Sequence, residues 1–229
     1  MADASVGGKT GIDFANLKNV IGTIAQPKAV FVNTNYVASL PHRHFMNGVA
    51  EILKMALISD KVLWKKLSSD YEFKNISELL YKSVQLKNKI VKRDPTEKNV
   101  RKTLNFGHTV GHAVEAVLLN TPDELLHGEA VIVGMIAESF ISYKKKLITK
   151  NELDEIVHCF KNCFTLSPIH PQHFEAIDLL ILNDKKNNNG KTLFSLLNKI
   201  GACKIDQVVT PAQVRASIEF YNQVLNDKN

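Results

Sequence analysis

The chain has 229 residues, 45% of them apolar and 23% charged, an ordinary globular composition that excludes disordered and fibrous classes. Its length corresponds to about one and a half domains of ~150 residues, enough to bury a core without staples. Lys and Arg outnumber Asp and Glu by 29 to 23, a net charge of +6 that is basic but far from a histone-like tail.

The first 40 residues differ from the rest. They contain Gly7, Gly8, Gly11 and Gly22, and residues 9–24 read as extended pieces and turns. The apolar, β-rich run at 29–33 predicts a buried strand. Gly7, Gly8, Lys9 and Thr10 look like the end of a phosphate-binding loop, but that motif needs a glycine where Asp3 stands, so a nucleotide-triphosphatase is excluded. No G-x-G-x-x-G dinucleotide fingerprint occurs anywhere.

After Leu40 and Pro41 the pattern becomes helical. Val49, Ile52, Leu53, Ala56 and Leu57 recur at the spacing of an amphipathic helix. Further helices are predicted over about 75–93, 97–119, 126–146, 150–163, 171–182 and 210–226, the last opened by Thr210 and Pro211. Residues 187–190 mark a loop, and 193–205 include a short strand.

Three cysteines, Cys159, Cys163 and Cys203, suit a reducing compartment, and Cys159 and Cys163 read as buried thiols within a helix. There is no apolar run of 18 residues and no signal-peptide pattern. A cytoplasmic location is therefore expected, with no membrane and no nucleic acid as partner. The basic run from Lys82 to Lys102 nearly lacks aromatics, which disfavours base stacking. It reads either as a solvated helix face or as a site for a small anion.

Chemistry concentrates at His108 and His112, four apart, with Glu115 on the same stripe. Such a pair can ligate one metal, or one histidine can ligate while the other acts on substrate. The plainer reading is two surface histidines on a polar stripe. Gly107 and Gly111 flank them and would let another backbone or a ligand approach closely. His127 opens the next helix, and Glu51 lies on the first long helix with Lys54 three residues on. A glutamate with two histidines is a catalytic zinc set.

Taken in order, the blocks Asp3 to Asp13, Lys18 to Gly22, Gln26 to Val30, Ser39 to Pro41, Gly48 to Lys54, Arg101 to His112, His127 to Ala130 and Asp184 to Lys186 resemble the 3-dehydroquinate synthases of the sugar phosphate cyclase superfamily. The resemblance implies a mainly α fold. A helical metal- and substrate-binding domain would cover 43–229, and a short α/β remnant of a Rossmann-like NAD domain would cover 1–42. It implies metal ligands at Glu51, His108 and His127, for Zn2+ or Co2+. Catalytic roles fall on His112, Lys54, Lys9 and Glu97, and substrate contacts on Asn19, Lys87, Arg101, Asn105 and Lys186. NAD contacts fall on Asp3, Lys9, Lys18, Tyr36, Val37, Ala38 and Ser39.

The implied reaction is a phosphate-eliminating cyclisation of a seven-carbon keto-acid phosphate, 3-deoxy-D-arabino-heptulosonate 7-phosphate, to 3-dehydroquinate in aromatic amino acid biosynthesis. The substrate carries a carboxylate and a phosphate, which suits Arg forks and Lys point charges. The family is homodimeric, and its members have roughly 130 more residues ahead of the match, so impaired turnover is expected of this chain alone. Another sugar phosphate cyclase and a non-catalytic fragment are the alternative readings.

Overall fold

The computed structural model describes residues 4–14, 17–69, 71, 73–182 and 192–226, with backbone alone for 13, 14 and 17–20. The chain opens on an antiparallel hairpin, β1 (Lys9–Phe14) and β2 (Leu17–Ile24), in which Gly11 faces Gly22. The predicted strand at 29–33 does not form. A strand needs a ladder partner, and among the described residues none pairs with this segment, so Phe31 is 96% exposed. A short 3-10 turn, Thr34–Ser39, follows.

The rest is helical apart from one hairpin. The helices are α1 (His42–Ser59), α2 (Lys61–Leu67), α3 (Ile76–Arg93), α4 (His108–Leu118), α5 (His127–Lys144), α6 (Lys150–Cys163), α7 (Phe174–Leu182) and α8 (Pro211–Asn226). Helix α2 was not expected from the sequence. It starts because Asp60 accepts from the Leu63 amide at 2.9 Å, and it buries Trp64, which donates to Glu155 at 2.6 Å and meets the Phe160 ring edge-on at 6.0 Å. The single strand expected within 193–205 is a full hairpin, β3 (Thr192–Lys199) and β4 (Ala202–Val209). Cys159 is buried as predicted, whereas Cys163 and Cys203 are half-buried. Among the described residues no helix is long and apolar enough to cross a membrane.

Helix α5 is the centre of the fold. It is apolar nearly all round and buries Ala130 to Ala137 without a break, the signature of an interior helix. Helices α1, α4, α6 and α8 and strand β3 pack around it. The helix predicted over 97–119 is divided into a 3-10 turn, Val100–Asn105, and α4. The division falls at Gly107, whose φ of +78° only glycine adopts freely. Two backbones nearly touch here: a Cβ on Gly134 of α5 would overlap the Gly107 carbonyl oxygen. The β3–β4 hairpin braces the 3-10 turn from outside. Lys102 reaches Asp206 at 2.9 Å, and Ser195 donates to the Lys102 carbonyl at 2.7 Å. Asp206 (φ +56°) lies where the ladder register slips, a bulge that aims it at Lys102.

Gly134→Ala is expected to lower stability by about 1–3 kcal/mol, the usual cost of overpacking a tight contact. An unchanged urea midpoint would show that α4 and α5 are not held this close.

Candidate metal centre and anion cleft

One cleft of about 260 Å³ collects side chains that are far apart in sequence. It is lined by Lys9, Glu51, Lys54, Lys87, Glu97, Arg101, Asn105, His108, His112 and His127, with Ala4, Val6 and Leu104. The structure thus brings together most of the residues singled out in the sequence. Tyr36, Val37, Ala38 and Ser39 lie elsewhere, on the 3-10 turn after the first hairpin, with Tyr36 75% exposed. Asp3 and Lys186 lie outside the described residues, as do the side chains of Lys18 and Asn19, whose backbone belongs to β2.

Three helices deliver the innermost groups. Glu51 and Lys54 sit mid-way along α1, while His108 and His127 are the first residues of α4 and α5. The spacing between α1 and α5 is set one turn before Glu51. There Asn47 accepts from the Gly128 amide, and a Cβ on Gly128 would strike the Asn47 backbone. The start of α5 is fixed by Glu129, which accepts from the Leu126 amide at 2.8 Å and takes both arms of the Arg43 guanidinium at 2.6 Å.

The proton positions follow from the partners. His108 Nδ1 faces the Phe106 carbonyl oxygen at 3.2 Å, which only accepts, so Nδ1 carries the proton. His127 Nδ1 faces Glu115 Oε2 at 3.2 Å, which likewise accepts. In the neutral rings both Nε2 atoms then present lone pairs. Each lies 3.4 Å from the same atom, Glu51 Oε1. With both rings neutral, three acceptors face one another and suit a shared cation. Ligands on a tetrahedral zinc, at ~2.0–2.1 Å bond lengths, stand about 3.3–3.4 Å apart. The spacing and the donor set both fit a divalent metal. His112 is the neighbour: its ring lies 5.0 Å from that of His108 and 5.6 Å from that of His127. The ligand atoms of His108, His112 and His127 all fall within 4.8 Å of one another, so a three-histidine set overlaps the first.

Burial opposes ionisation of Glu51, but Lys54 at 2.5 Å, His108 and His127 outweigh it and hold the carboxyl well below its ordinary range. Burial and the nearby Lys54 ammonium push His108 down, against the pull of Glu51. His127 is raised to about 9, chiefly by its bond to Glu115 and then by Glu51.

The outer wall is cationic. Arg101 is buried and donates to the Pro95 carbonyl at 2.8 Å and the Gly7 carbonyl at 2.7 Å, tying the N-terminal segment over the cleft. Burial lowers its pKa, with Asp94 opposing. Asp94 shapes this loop by accepting from the Lys98, Asn99 and Arg101 amides at 2.7–3.0 Å. Glu97, with φ +59°, pairs with Lys9 and accepts from Asn105 at 2.8 Å. A non-glycine residue held in that conformation inside a cleft is strain of the kind kept at functional sites.

Family models described as 3-dehydroquinate synthase N-terminal and C-terminal match residues 1–47 and 48–187. Among curated relatives, the 3-dehydroquinate synthase of Parabacteroides distasonis is 34% identical over 96% of this chain and 64% of its own length. That of Lactococcus lactis subsp. cremoris is 37% identical over 90% of this chain and 59% of its own. The chain thus spans about three-fifths of the length of these relatives. The 2-epi-5-epi-valiolone synthase of Streptomyces hygroscopicus, solved with NAD+ and Zn2+ bound, superposes with a TM-score of 0.85 at 27% identity, over 97% of this chain and 63% of that one. A 2-deoxy-scyllo-inosose synthase, solved with carbaglucose-6-phosphate, NAD+ and Co2+, shares the fold at a TM-score of 0.78 and 20% identity, over 96% of this chain and 63% of that one.

The raised His127 pKa has a definite sign. The metal-free folded chain holds this proton more tightly than an unfolded chain with a pKa of ~6.5. The stabilisation is complete below ~6.5 and is lost as pH climbs through about 9. Glu115→Gln is expected to bring the His127 titration down toward its ordinary value, read by NMR of the imidazole Cε1–H. A titration unmoved by the substitution would remove Glu115 from this role.

Proposed function

Because this chain belongs to the 3-dehydroquinate synthase family, we propose that it carries the metal and substrate site of a cyclase of that type, a carbon–oxygen lyase acting on 3-deoxy-D-arabino-heptulosonate 7-phosphate. The observation that carries the metal part is the pair of 3.4 Å approaches of His108 and His127 to Glu51 Oε1. These three residues are the proposed ligands, with Zn2+ or Co2+ as the ion, and His112 is left to act on substrate. In this reading residues 1–42 belong with the NAD-binding part and 43–229 with the metal and substrate part. NAD contacts are proposed for Asp3, Lys9, Lys18 and Tyr36 to Ser39 on family membership. Of these, Lys9 lines the described cleft. A cytoplasmic location is proposed from the three free thiols.

When bound, NAD supplies hydride acceptance and return, and the divalent ion supplies Lewis-acid polarisation of an oxygen. The protein's own residues do the rest. Lys9, Lys54, Lys87 and Arg101 make the cleft positive, which favours a ligand with a carboxylate and a phosphate. Arg101 suits bidentate recognition, and the lysines act as point charges. Arg101 already holds the Gly7 carbonyl, so an anion there meets a guanidinium locked in place and pre-oriented. Glu97 offers carboxylate lone pairs beside Lys9 and Asn105, a pairing that can take a proton and pass it on. His112 lies next to the proposed ligands, which supports a role in exchanging a proton with a substrate oxygen. Asn19 and Lys186 complete the proposed substrate set.

About one zinc or cobalt per chain is expected by elemental analysis, and Glu51→Ala or His108→Ala is expected to abolish it. A wild-type chain that takes up no metal overturns the assignment. Lys87→Ala is expected to weaken binding of the keto-acid phosphate to the metal-loaded chain by tenfold or more, since a hydrogen bond to a charged group contributes about 1.5–3 kcal/mol. Equal binding of a sugar phosphate lacking the carboxylate would favour another cyclase of the superfamily.

A further inference from the structure

Glu138 is a carboxylate in the wrong place for an ordinary helix. It lies three turns beyond His127 on the apolar α5 and is fully buried. Burying a carboxylate is costly unless donors meet it. Here its Oε2 accepts from the Gly107 amide at 2.7 Å and its Oε1 from the Val110 amide at 3.2 Å. These are two of the amides that the start of α4 leaves without an intrahelical partner. Most helices cap such amides with a local Ser, Thr, Asp or Asn. Helix α4 has no such option. Its N-cap is Gly107, and a side chain there would strike Met135 Cγ and would have to adopt a φ of +78°. The close packing of α4 on α5 therefore forbids a local cap, and the cap comes from α5 itself.

The capped amides bracket His108. On one side Gly107 is held by Glu138 and the Phe106 carbonyl accepts from His108 Nδ1–H, and on the other Val110 is held by Glu138. We infer that Glu138 is a positioning residue for His108: it fixes the backbone from which the imidazole projects and so sets the direction in which Nε2 meets Glu51 Oε1. The inference rests on the metal reading of the site. Glu138 is not among the residues that line the cleft. It acts through the start of α4, and its charge is favourable at the positive end of that helix.

The test compares Glu138→Gln and Glu138→Ala with wild type. Gln keeps the shape and one acceptor, but it turns a donor toward the other amide. Co2+ titration followed by the visible d–d spectrum reads affinity and ligand geometry. Imidazole nitrogen shifts of the metal-free chain read the His108 tautomer. Glu138→Ala is expected to weaken Co2+ binding by ~10–100-fold, the usual effect of losing an outer-sphere partner, with Gln intermediate and both spectra altered. His108 is expected to leave the single Nδ1–H tautomer in both variants. Variants that melt earlier yet bind Co2+ with wild-type affinity and spectrum, and keep the His108 shifts, would show a stability cap alone and overturn the inference. If Glu138→Ala does not fold, Glu138→Gln decides by the same criteria. A wild type that binds no Co2+ sinks the metal reading, and the His108 shifts then decide the positioning claim by themselves.

Discussion

The contact between α4 and α5 governs the geometry of the whole site. Two helices whose backbones nearly touch at Gly107 and Gly134 have little freedom to slide. The histidines at their first residues inherit that rigidity. The same α5 is tied to α1 where Gly128 meets Asn47, one turn from Glu51. A shift of α5 by a few tenths of an ångström would therefore move both 3.4 Å approaches to Glu51. A site built at helix ends is usually softer than one built mid-helix, because end amides are unpaired and fray. Here the ends are stiffened from outside, by Glu129 with Arg43 at α5 and by Glu138 at α4.

The charge pattern inside the cleft follows a single logic. Glu51 and Lys54 would each be expensive to bury alone, and they are tolerated in α1 as a pair. Two acceptor-facing imidazoles then join the carboxylate. This inner cluster is rich in lone pairs and suits a cation, whereas the outer wall of Lys9, Lys87 and Arg101 suits an anion. The two halves lie within one cavity of about 260 Å³. An anionic sugar acid bound there would present its hydroxyl and carbonyl oxygens to the inner cluster and its charged ends to the wall, which is the division of labour the proposed reaction needs.

Much of this was legible in the sequence, for reasons that differ by element. The α1 stripe and the His108–His112 spacing follow from the 3.6-residue period, and both appear where predicted. The supposition that Gly107 and Gly111 admit a neighbouring backbone was also sound, since Gly111 approaches the Ala130 carbonyl. Misreadings came where context overrides local pattern. Residues 29–33 have strand composition, yet no partner strand is described for them. Residues 97–119 carry a helical pattern, but Gly107 turns the chain. Asn47, Arg43 and Glu138 leave no spacing signal because each meets a distant segment, Asn47 and Glu138 through backbone amides and Arg43 through the Glu129 carboxylate. Glu138 alone left a trace, as a single carboxylate in the otherwise apolar stretch from Ala130 to Ile141.

That trace points to how such sites can be found. A charged residue inside a helix that is apolar on every side contradicts the local pattern, and such contradictions concentrate at functional sites. Helices α1 and α5 each contain one: Glu51 and Lys54 amid Val49 to Ile58, and Glu138 amid Ala130 to Ile141. The first contradiction is answered by a charge partner and two imidazoles, the second by two backbone amides. The difference in partner separates their roles. A carboxylate that faces imidazole lone pairs can share a further ligand with them, whereas one that accepts from peptide N–H groups holds the backbone in place. Of the buried carboxylates among the described residues, Glu51 thus faces chemistry, whereas Asp94 and Glu138 accept from backbone amides and fix geometry, and His108 opens the helix whose start Glu138 holds.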